Sequence, residues 1–294
     1  MPHTGFLRII REVESRFAGL IRMKPFLSVI IPTLNEEKFL PKLLASLSQQ
    51  QVKDLEVIVV DGSSKDRTVE FAKRFTSKIP SLHILVSKTS SLPLQRNMGA
   101  HIAKGEWLAF VDADSILLPY FMERIRVFIE EKKPKLFSAW AKVDSDLVND
   151  AIFTLLTNIY WEAAVLFKRP AAPGPLTVVR ADIFRSVDGY DETHAFNEDV
   201  DLGLRLAARG VILSMVRETL YVWSMRRIRR ESKMKIMNQY ILSMLPILLF
   251  KRPFKHMPGY IMGGHMYTKK KKIRSSMLKT YERKLRDLMH ELFD

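Results

Sequence analysis

Two clusters of carboxylates carry the most chemistry in this chain. Asp112-Ala113-Asp114 follows directly on the apolar run Trp107–Val111. At an extended strand end alternate side chains share a face, so Asp112 and Asp114 approach one spot while Ala113 turns away. Two hard oxygen donors suit a Mg²⁺ or Mn²⁺ ion that keeps diphosphate oxygens among its ligands. Acids after a strand also serve simply as turn formers or helix caps. The second cluster, Asn197-Glu198-Asp199-Val200-Asp201, opens a helical pattern through Val200, Leu204 and Ala207 that runs to Gly210. Acids favour helix N-termini through capping and the macrodipole. Three acids in four positions exceed what a cap needs, which leaves one as a candidate base for proton abstraction.

These residues need a scaffold, and the apolar pattern supplies one. Leu27–Pro32, Glu56–Val60, Leu82–Val86 and Trp107–Val111 read as short, nearly continuous apolar strands. Between them, Glu37–Gln50, Thr68–Phe75 and Leu94–Ala103 have helical spacing. Strand–helix alternation predicts a doubly wound α/β architecture with a parallel sheet, whose ligand sites form at the carboxyl ends of strands. No glycine-rich phosphate loop follows the first strand and no G-x-G-x-x-G occurs, which disfavours P-loop and dinucleotide chemistry.

Composition narrows the class further. The 294 residues are 47% hydrophobic, enough for a sizeable core, and contain no cysteine. That removes disulfides, thiolate catalysis and zinc-finger or iron–sulfur ligation. The net charge of +15 is unevenly placed. Residues 1–24 hold 5 basic and 2 acidic groups, residues 224–294 hold 18 and 5, and residues 25–223 hold 24 and 25. A neutral body between basic ends argues against nucleic acid as the partner and for an anionic membrane surface. Phe6, Ile9, Ile10, Val13, Phe17, Leu20 and Ile21 recur at helical spacing among charged residues, as in a docked helix or one lying in the membrane interface. Arg8, Arg11, Glu12 and Glu14 leave no apolar core for a secretory signal. Ile236–Phe250 is uncharged but too short to span a bilayer, and Pro246 would kink it. Either a buried core segment or, preferred for the basic blocks around it, a surface-lying or re-entrant segment fits. Ser275–Leu292 reads as a charged amphipathic helix.

From Leu27 to about Gly210 the chain resembles glycosyltransferase family 2, the inverting transferases of GT-A fold. The matching pieces are Ser28–Glu37 (SVIIPTLNEE), Val59–Thr68 (VVDGSSKDRT), Gln95–Gly99 (QRNMG), Asp112–Asp114, Val179-Arg180, Gly189–Glu192 (GYDE) and Glu198–Leu202 (EDVDL), in the family's order. With its apolar ends the chain looks like dolichyl-phosphate sugar transferases and minimal cellulose-synthase-like members. The resemblance implies a Rossmann-like, mainly parallel sheet flanked by helices, with a catalytic domain over 25–223. Residues 1–24 and 224–294 would then be amphipathic or apolar membrane-associating segments holding the enzyme on the cytoplasmic face, peripherally or monotopically.

It also implies roles. Pro32, Thr33, Asn35 and Glu36 would line the nucleoside pocket, with Asp61 hydrogen-bonding the base and Arg96 contacting the donor. Asp112 would approach the ribose or sugar and share the metal with Asp114, which holds Mn²⁺ or Mg²⁺ on the diphosphate. Asp199 would be the base for a single inverting displacement, with Glu198 supporting the acceptor. Trp223–Arg227 (WSMRR) loosely matches the basic segment that closes the site in processive members, written there Q-x-x-R-W. Arg226 or Arg227 would then clamp the diphosphate, since a guanidinium suits paired phosphate oxygens; facing lipid headgroups is the alternative. His265, after Gly263-Gly264, is a further candidate metal ligand. Ala151–Phe167 reads as a core helix, or as one wall of an acceptor groove open to lipid.

The expected donor is a nucleotide-sugar of GDP-mannose or UDP-glucose type, and the acceptor a polyprenyl phosphate such as dolichyl phosphate or a lipid-linked saccharide. A nucleotidyltransferase, which would release pyrophosphate, and a non-catalytic membrane-binding module are the rival classes.

Overall fold

A computed structural model describes residues 24–170, 172–230 and 255. The expected helix over 5–22, the apolar stretch 236–250, His265 and the charged helix 275–292 lie outside the described residues. Four strands, β1 (Leu27–Thr33), β2 (Leu55–Asp61), β3 (Leu82–Val86) and β4 (Trp107–Val111), match the sequence reading closely. Helices α1 (Leu40–Ser48), α2 (Thr68–Lys73) and α3 (Leu92–Ile102) alternate with them. Then come β5 (Ile116–Leu117), α4 (Phe121–Lys132), β6 (Leu136–Val143), α5 (Val148–Leu166), β7 (Leu176–Arg180), α6 (Ala181–Ser186), α7 (Glu198–Ala208), β8 (Leu213–Trp223) and α8 (Arg226–Arg230).

The strands form one sheet in the order β3-β2-β1-β4-β7-β6-β8-β5. Its first half is parallel, as the alternation predicts. The second half is mixed: β7 runs antiparallel to β4 and β6, β8 is parallel to β6, and β5 closes the edge antiparallel to β8. The mixed half was not foreseen, because β6 and β8 lack the unbroken apolar character of β1–β4.

Both faces of the sheet are covered, which explains the continuous apolar runs. Leu27, Val29 and Ile31 of β1 point into a core shared with Leu40, Leu43 and Leu44 of α1 and Phe121 of α4. Ile30, between them, points to the opposite core with Ala100, Phe184, Leu202 and Leu206 from α3, α6 and α7.

Helix α5 breaks this order. Its polar residues Asp150, Thr154 and Asn158 are buried, while Ile152, Leu155, Leu156 and Ile159 are exposed. Asn158 accepts from the Ala141 amide and donates to its carbonyl, and Glu162 accepts from the Trp140 indole. The helix binds the sheet through this polar stripe in its first half and through Trp161, Ala164 and Val165 in its second, so the core-helix reading of Ala151–Phe167 holds only for its C-terminal half. Among the described residues, no helix is long and apolar enough to cross a membrane.

Away from the site, buried Glu56 joins three elements: it accepts from the Ser28 hydroxyl and from the amides of Lys104 and Gly105. A Cβ at Gly105 would lie 2.6 Å from the Ser28 nitrogen and 2.9 Å from the Leu27 carbonyl carbon. Backbone cannot yield as a side chain does. Gly105→Ala is therefore expected to cost about 1–3 kcal/mol in urea unfolding, the usual penalty for overpacking, and an unchanged midpoint would contradict that contact.

Candidate active site

The carboxyl ends of β1 and β2 are joined before any charge is considered. Register places Thr33 beside Asp61. The Thr33 hydroxyl donates to Asp61 at 3.0 Å, and the Ser64 amide donates to its other oxygen at 2.8 Å. Gln95, on α3, donates from its amide nitrogen to the carbonyls of Thr33 (2.9 Å) and Val60 (2.7 Å). A Cβ at Gly62 would sit 2.8 Å from the Gln95 amide oxygen, so this position suits glycine. Asn35 takes a left-handed conformation (φ 54°), which asparagine tolerates. There its amide donates to Ser64 and its side-chain oxygen accepts from the Lys65 amide, both at 2.7 Å. Pro32 lies one residue back in β1, opposite Val60.

Beside this rim stands an ion cluster built from three distant parts of the chain. Arg226 donates to both oxygens of Glu36, at 2.7 and 2.6 Å, and its Nε lies 2.7 Å from Asp114. Its guanidinium also covers the Phe39 ring at 4.4 Å. Asp144 fixes the chain behind it, accepting from the Met225 amide at 2.8 Å and from Arg229 at 2.6 Å. Arg227, the neighbouring candidate, is partly buried on the same short helix. The structure thus turns Arg226 into the site rather than outward.

A second cluster adjoins the first through Asp112. Arg96, 1% exposed, donates to Glu198 at 2.9 Å, to Asp112 at 3.2 Å and to the Gly174 carbonyl at 3.2 Å. The Tyr190 ring lies 5.1 Å from its guanidinium. Arg96 is enclosed rather than presented to the cleft, and reaches the site through Asp112. Asp199 follows Glu198 on the first turn of α7 and accepts from the Val200 amide at 2.8 Å. A Cβ at Gly174 would come within 2.9 Å of the Asp199 carboxylate, so glycine is what lets the loop before β7 approach it.

Crowding raises the proton affinity of these acids. Burial pushes Glu36 up to about 7 despite Arg226, with the Asp114 charge adding to the rise. Burial also pushes Asp114 up to about 6, opposed by Arg226 and reinforced by Asp112. Asp112 and Asp199 move upward too, chiefly by burial; Glu198 adds to the rise in both, and Arg96 opposes it. For Arg96 burial works against the charge, but Tyr190 and the surrounding carboxylates outweigh it and keep the guanidinium protonated.

The donor set fits a hard divalent cation. Asp112 and Asp114 offer carboxylate oxygens, the Asp112 side chain is 34% exposed, and the excess negative charge is now offset by arginine. Among the described residues, the group of three possible ligands within 4.8 Å of one another is Asp191, His194 and Asp201, which includes neither of them. There Arg205 lies 2.7 Å from Asp201 and Lys255 lies 3.9 Å from Asp191, so cations already offset those acids.

Of the candidates from sequence, Glu36, Asp112, Asp114 and Arg226 come together, with Arg96, Glu198 and Asp199 alongside and Thr33, Asn35 and Asp61 on the rim. Sequence reasoning missed Asp144, Gly174 and Asn97. Asn97 donates to the Tyr190 carbonyl and accepts from its amide, both at 2.9 Å, and so couples α3 to the loop before α7. Its place in Gln95–Gly99 was a signal; Asp144 had none.

Comparison with known proteins agrees with this geometry. The description "Glycosyl transferase family 2" matches residues 28–173. A Mycobacterium bovis protein named "PGL/p-HBAD biosynthesis glycosyltransferase" is 31% identical over 188 residues, 62% of this chain and 69% of that protein. An "uncharacterized glycosyltransferase" of Haemophilus influenzae is 30% identical over 186 residues, 61% of each chain. The match thus spans under two thirds of the Haemophilus relative's length. The chain belongs to glycosyltransferase family 2. Its fold is shared with S. aureus TarS solved with UDP-GlcNAc (TM-score 0.56, 25% identity, 69% of this chain and 58% of that one). A mannosyltransferase of Pyrobaculum calidifontis solved with GDP-Man and Mn²⁺ also shares it (TM-score 0.57, 18% identity, 69% and 57%).

The Glu36 shift has a measurable sign. A carboxyl held near 7 in the folded state, against an ordinary 4.5, keeps a proton that the unfolded chain has released. Its contribution is complete below pH 4.5 and fades as pH rises through 7. In Glu36→Gln the fall in stability between those values is expected to be shallower than in the parent, as followed by urea unfolding at constant ionic strength. Parallel slopes would contradict the shift.

Proposed function

We propose that the protein is a metal-dependent inverting glycosyltransferase that moves a hexosyl group from a nucleotide-sugar to a lipid-borne acceptor at a membrane. The donor is of GDP-mannose or UDP-glucose type; the acceptor is a polyprenyl phosphate such as dolichyl phosphate, or a lipid-linked saccharide. The observation that carries this is the convergence of Asp112, Asp114 and Arg226 with Glu198 and Asp199 at the carboxyl end of β4, in the middle of the sheet. Family membership sets the nucleotidyltransferase class aside. The basic ends, with 18 basic against 5 acidic groups over residues 224–294 alone, support the membrane as the acceptor's location.

The residues divide the work as follows. Thr33, Asn35, Glu36 and Asp61 form the nucleoside side of the cleft, with Pro32 behind them. Asp112 and Asp114 would hold Mn²⁺ or Mg²⁺, which when bound supplies positive charge against the departing diphosphate. Arg226 turns from Glu36 and Asp114 to phosphate oxygens, for which its fork of donors is suited; Arg227 flanks it. Asp199 takes the proton of an acceptor hydroxyl as the acceptor oxygen bonds to the anomeric carbon and the bond to the diphosphate breaks. Its raised proton affinity suits that task near neutrality. Glu198, fixed by Arg96, orients the acceptor side.

Thermal-shift measurements with UDP- and GDP-sugars test donor and metal together. Stabilisation by at least one of them, larger with Mn²⁺ and lost in Asp114→Ala, is expected; no stabilisation by any would overturn the assignment. Acceptor chemistry separates on Asp199. A phosphate monoester is already largely ionised, its second pKa being about 6, and needs no base. Asp199→Asn should therefore lower transfer to a hydroxyl by about 10²–10⁴-fold while sparing transfer to a lipid phosphate. Equal loss with both would remove the distinction.

A further inference from the structure

The outward face of α5 is apolar along its length. Leu155, Leu156 and Ile159 are 57%, 59% and 53% exposed, and Leu166 and Phe167 continue the strip at 75% and 71%. No charged residue is exposed between positions 151 and 167. The polarity is inverted because the buried stripe of Asp150, Thr154 and Asn158 already has partners. Asp150 accepts from Ser145, the Thr154 hydroxyl donates to the Asp150 carbonyl, and Asn158 bonds Ala141. A 19-residue helix of this kind covers about 28 Å at 1.5 Å per residue. Water is a poor solvent for such a strip.

Charge around the strip is basic on balance. Lys168 and Arg169 are exposed just past its C-terminal end and Lys142 is exposed on β6 beneath it, whereas Arg217 on β8 is paired with Glu162 of the helix and Asp146 is exposed before its N-terminal end. At the other end, Asp144 clasps Met225 and Arg229, where the strongly basic segment 224–294 begins. Aliphatic residues with Phe153, Tyr160 and Phe167 among them and Lys142, Lys168 and Arg169 beside them suit a helix lying in a lipid interface. A protein interface would more often be rich in tyrosine, tryptophan and arginine at its centre.

We infer that the outward face of α5 docks on an anionic phospholipid bilayer, with the helix lying in the interfacial plane. The C-terminal half of the helix ties this surface to the site: Trp161 and Val165 pack against the core that holds Leu202 and Leu206 of α7, the helix that carries Asp199. Docking there presents the Asp199 side of the cleft to the membrane. The inference rests on the lipid-acceptor assignment for its purpose, but the surface can be tested without any acceptor.

The chain contains no cysteine, so single-cysteine variants of the full chain report one place each. Leu156→Cys and Ile159→Cys, with Lys132→Cys on the opposite layer as control, are labelled with an environment-sensitive fluorophore. They are then mixed with vesicles of phosphatidylcholine alone or with phosphatidylglycerol. Probes at 156 and 159 should shift to the blue with anionic vesicles, and the probe at 132 should not. The double variant Leu155→Ser, Leu156→Ser should lower vesicle partitioning by at least about tenfold while nucleotide-sugar thermal shifts stay unchanged. No shift at 156 or 159 overturns the inference, even where the basic ends bring the protein down with vesicles. A probe already in an apolar environment in dilute, lipid-free solution also overturns it, because the chain then covers the face itself. A lipid-independent shift that grows with protein concentration overturns it in favour of a second copy. Docking without transfer to any lipid would leave the surface standing and remove the acceptor assignment; lipid transfer without docking at α5 would do the reverse.

Discussion

A guanidinium shut away from water holds the two halves of this molecule together. Enclosing a charge without partners costs several kcal/mol, so Arg96 is tenable only while Asp112, Glu198 and the Gly174 carbonyl all reach it. Those groups come from the end of β4, the start of α7 and the loop before β7. The parallel half of the sheet supplies the arginine and one acid, and the mixed half supplies the rest. Beside the β4–β7 ladder, the arginine thus makes the site's acids part of what joins the two halves, and a displaced α7 would strand a cation as well as Asp199.

Arg226 plays the corresponding part at the other side of Asp112–Asp114. It links the loop after β1 to the loop after β4, although 190 positions separate it from Glu36. Three carboxylates gathered at a strand edge repel one another, and each arginine relieves part of that repulsion.

How much of this was legible depended on whether a residue's task left a mark in its neighbours. β1–β4 were readable because both faces are covered, so each is a continuous apolar run. β8 was not: Arg217-Glu218-Thr219 reach the surface in its middle and split its buried residues into two short groups. Asp112–Asp114 and Glu198-Asp199 could be singled out because acids sit where a strand ends and a helix begins. Asp144 could not, since an acid in a polar turn looks the same whether or not it clasps a distant backbone. Helix α5 misled for a related reason: apolar periodicity shows that a helix has two faces but not which one meets the protein. Its direction was set by Asp150, Thr154 and Asn158, one turn apart and each satisfied on the inside, together with Trp161, Ala164 and Val165 further along.

The Gln95 stitch has a different character from its surroundings. Glu36, Asp112, Asp114 and Asp199 beside it can all change protonation; an amide cannot. Both of its hydrogens are committed to the carbonyls of Thr33 and Val60, so its orientation is fixed and its strength is indifferent to pH and ionic strength. A neutral clamp is thus added to the ladder that already pairs β1 with β2 from Leu27 to Thr33, beside a cluster of charges. Contacts of this kind, at Gln95 and again where Asn97 meets Tyr190, give the charged site a frame that does not itself titrate.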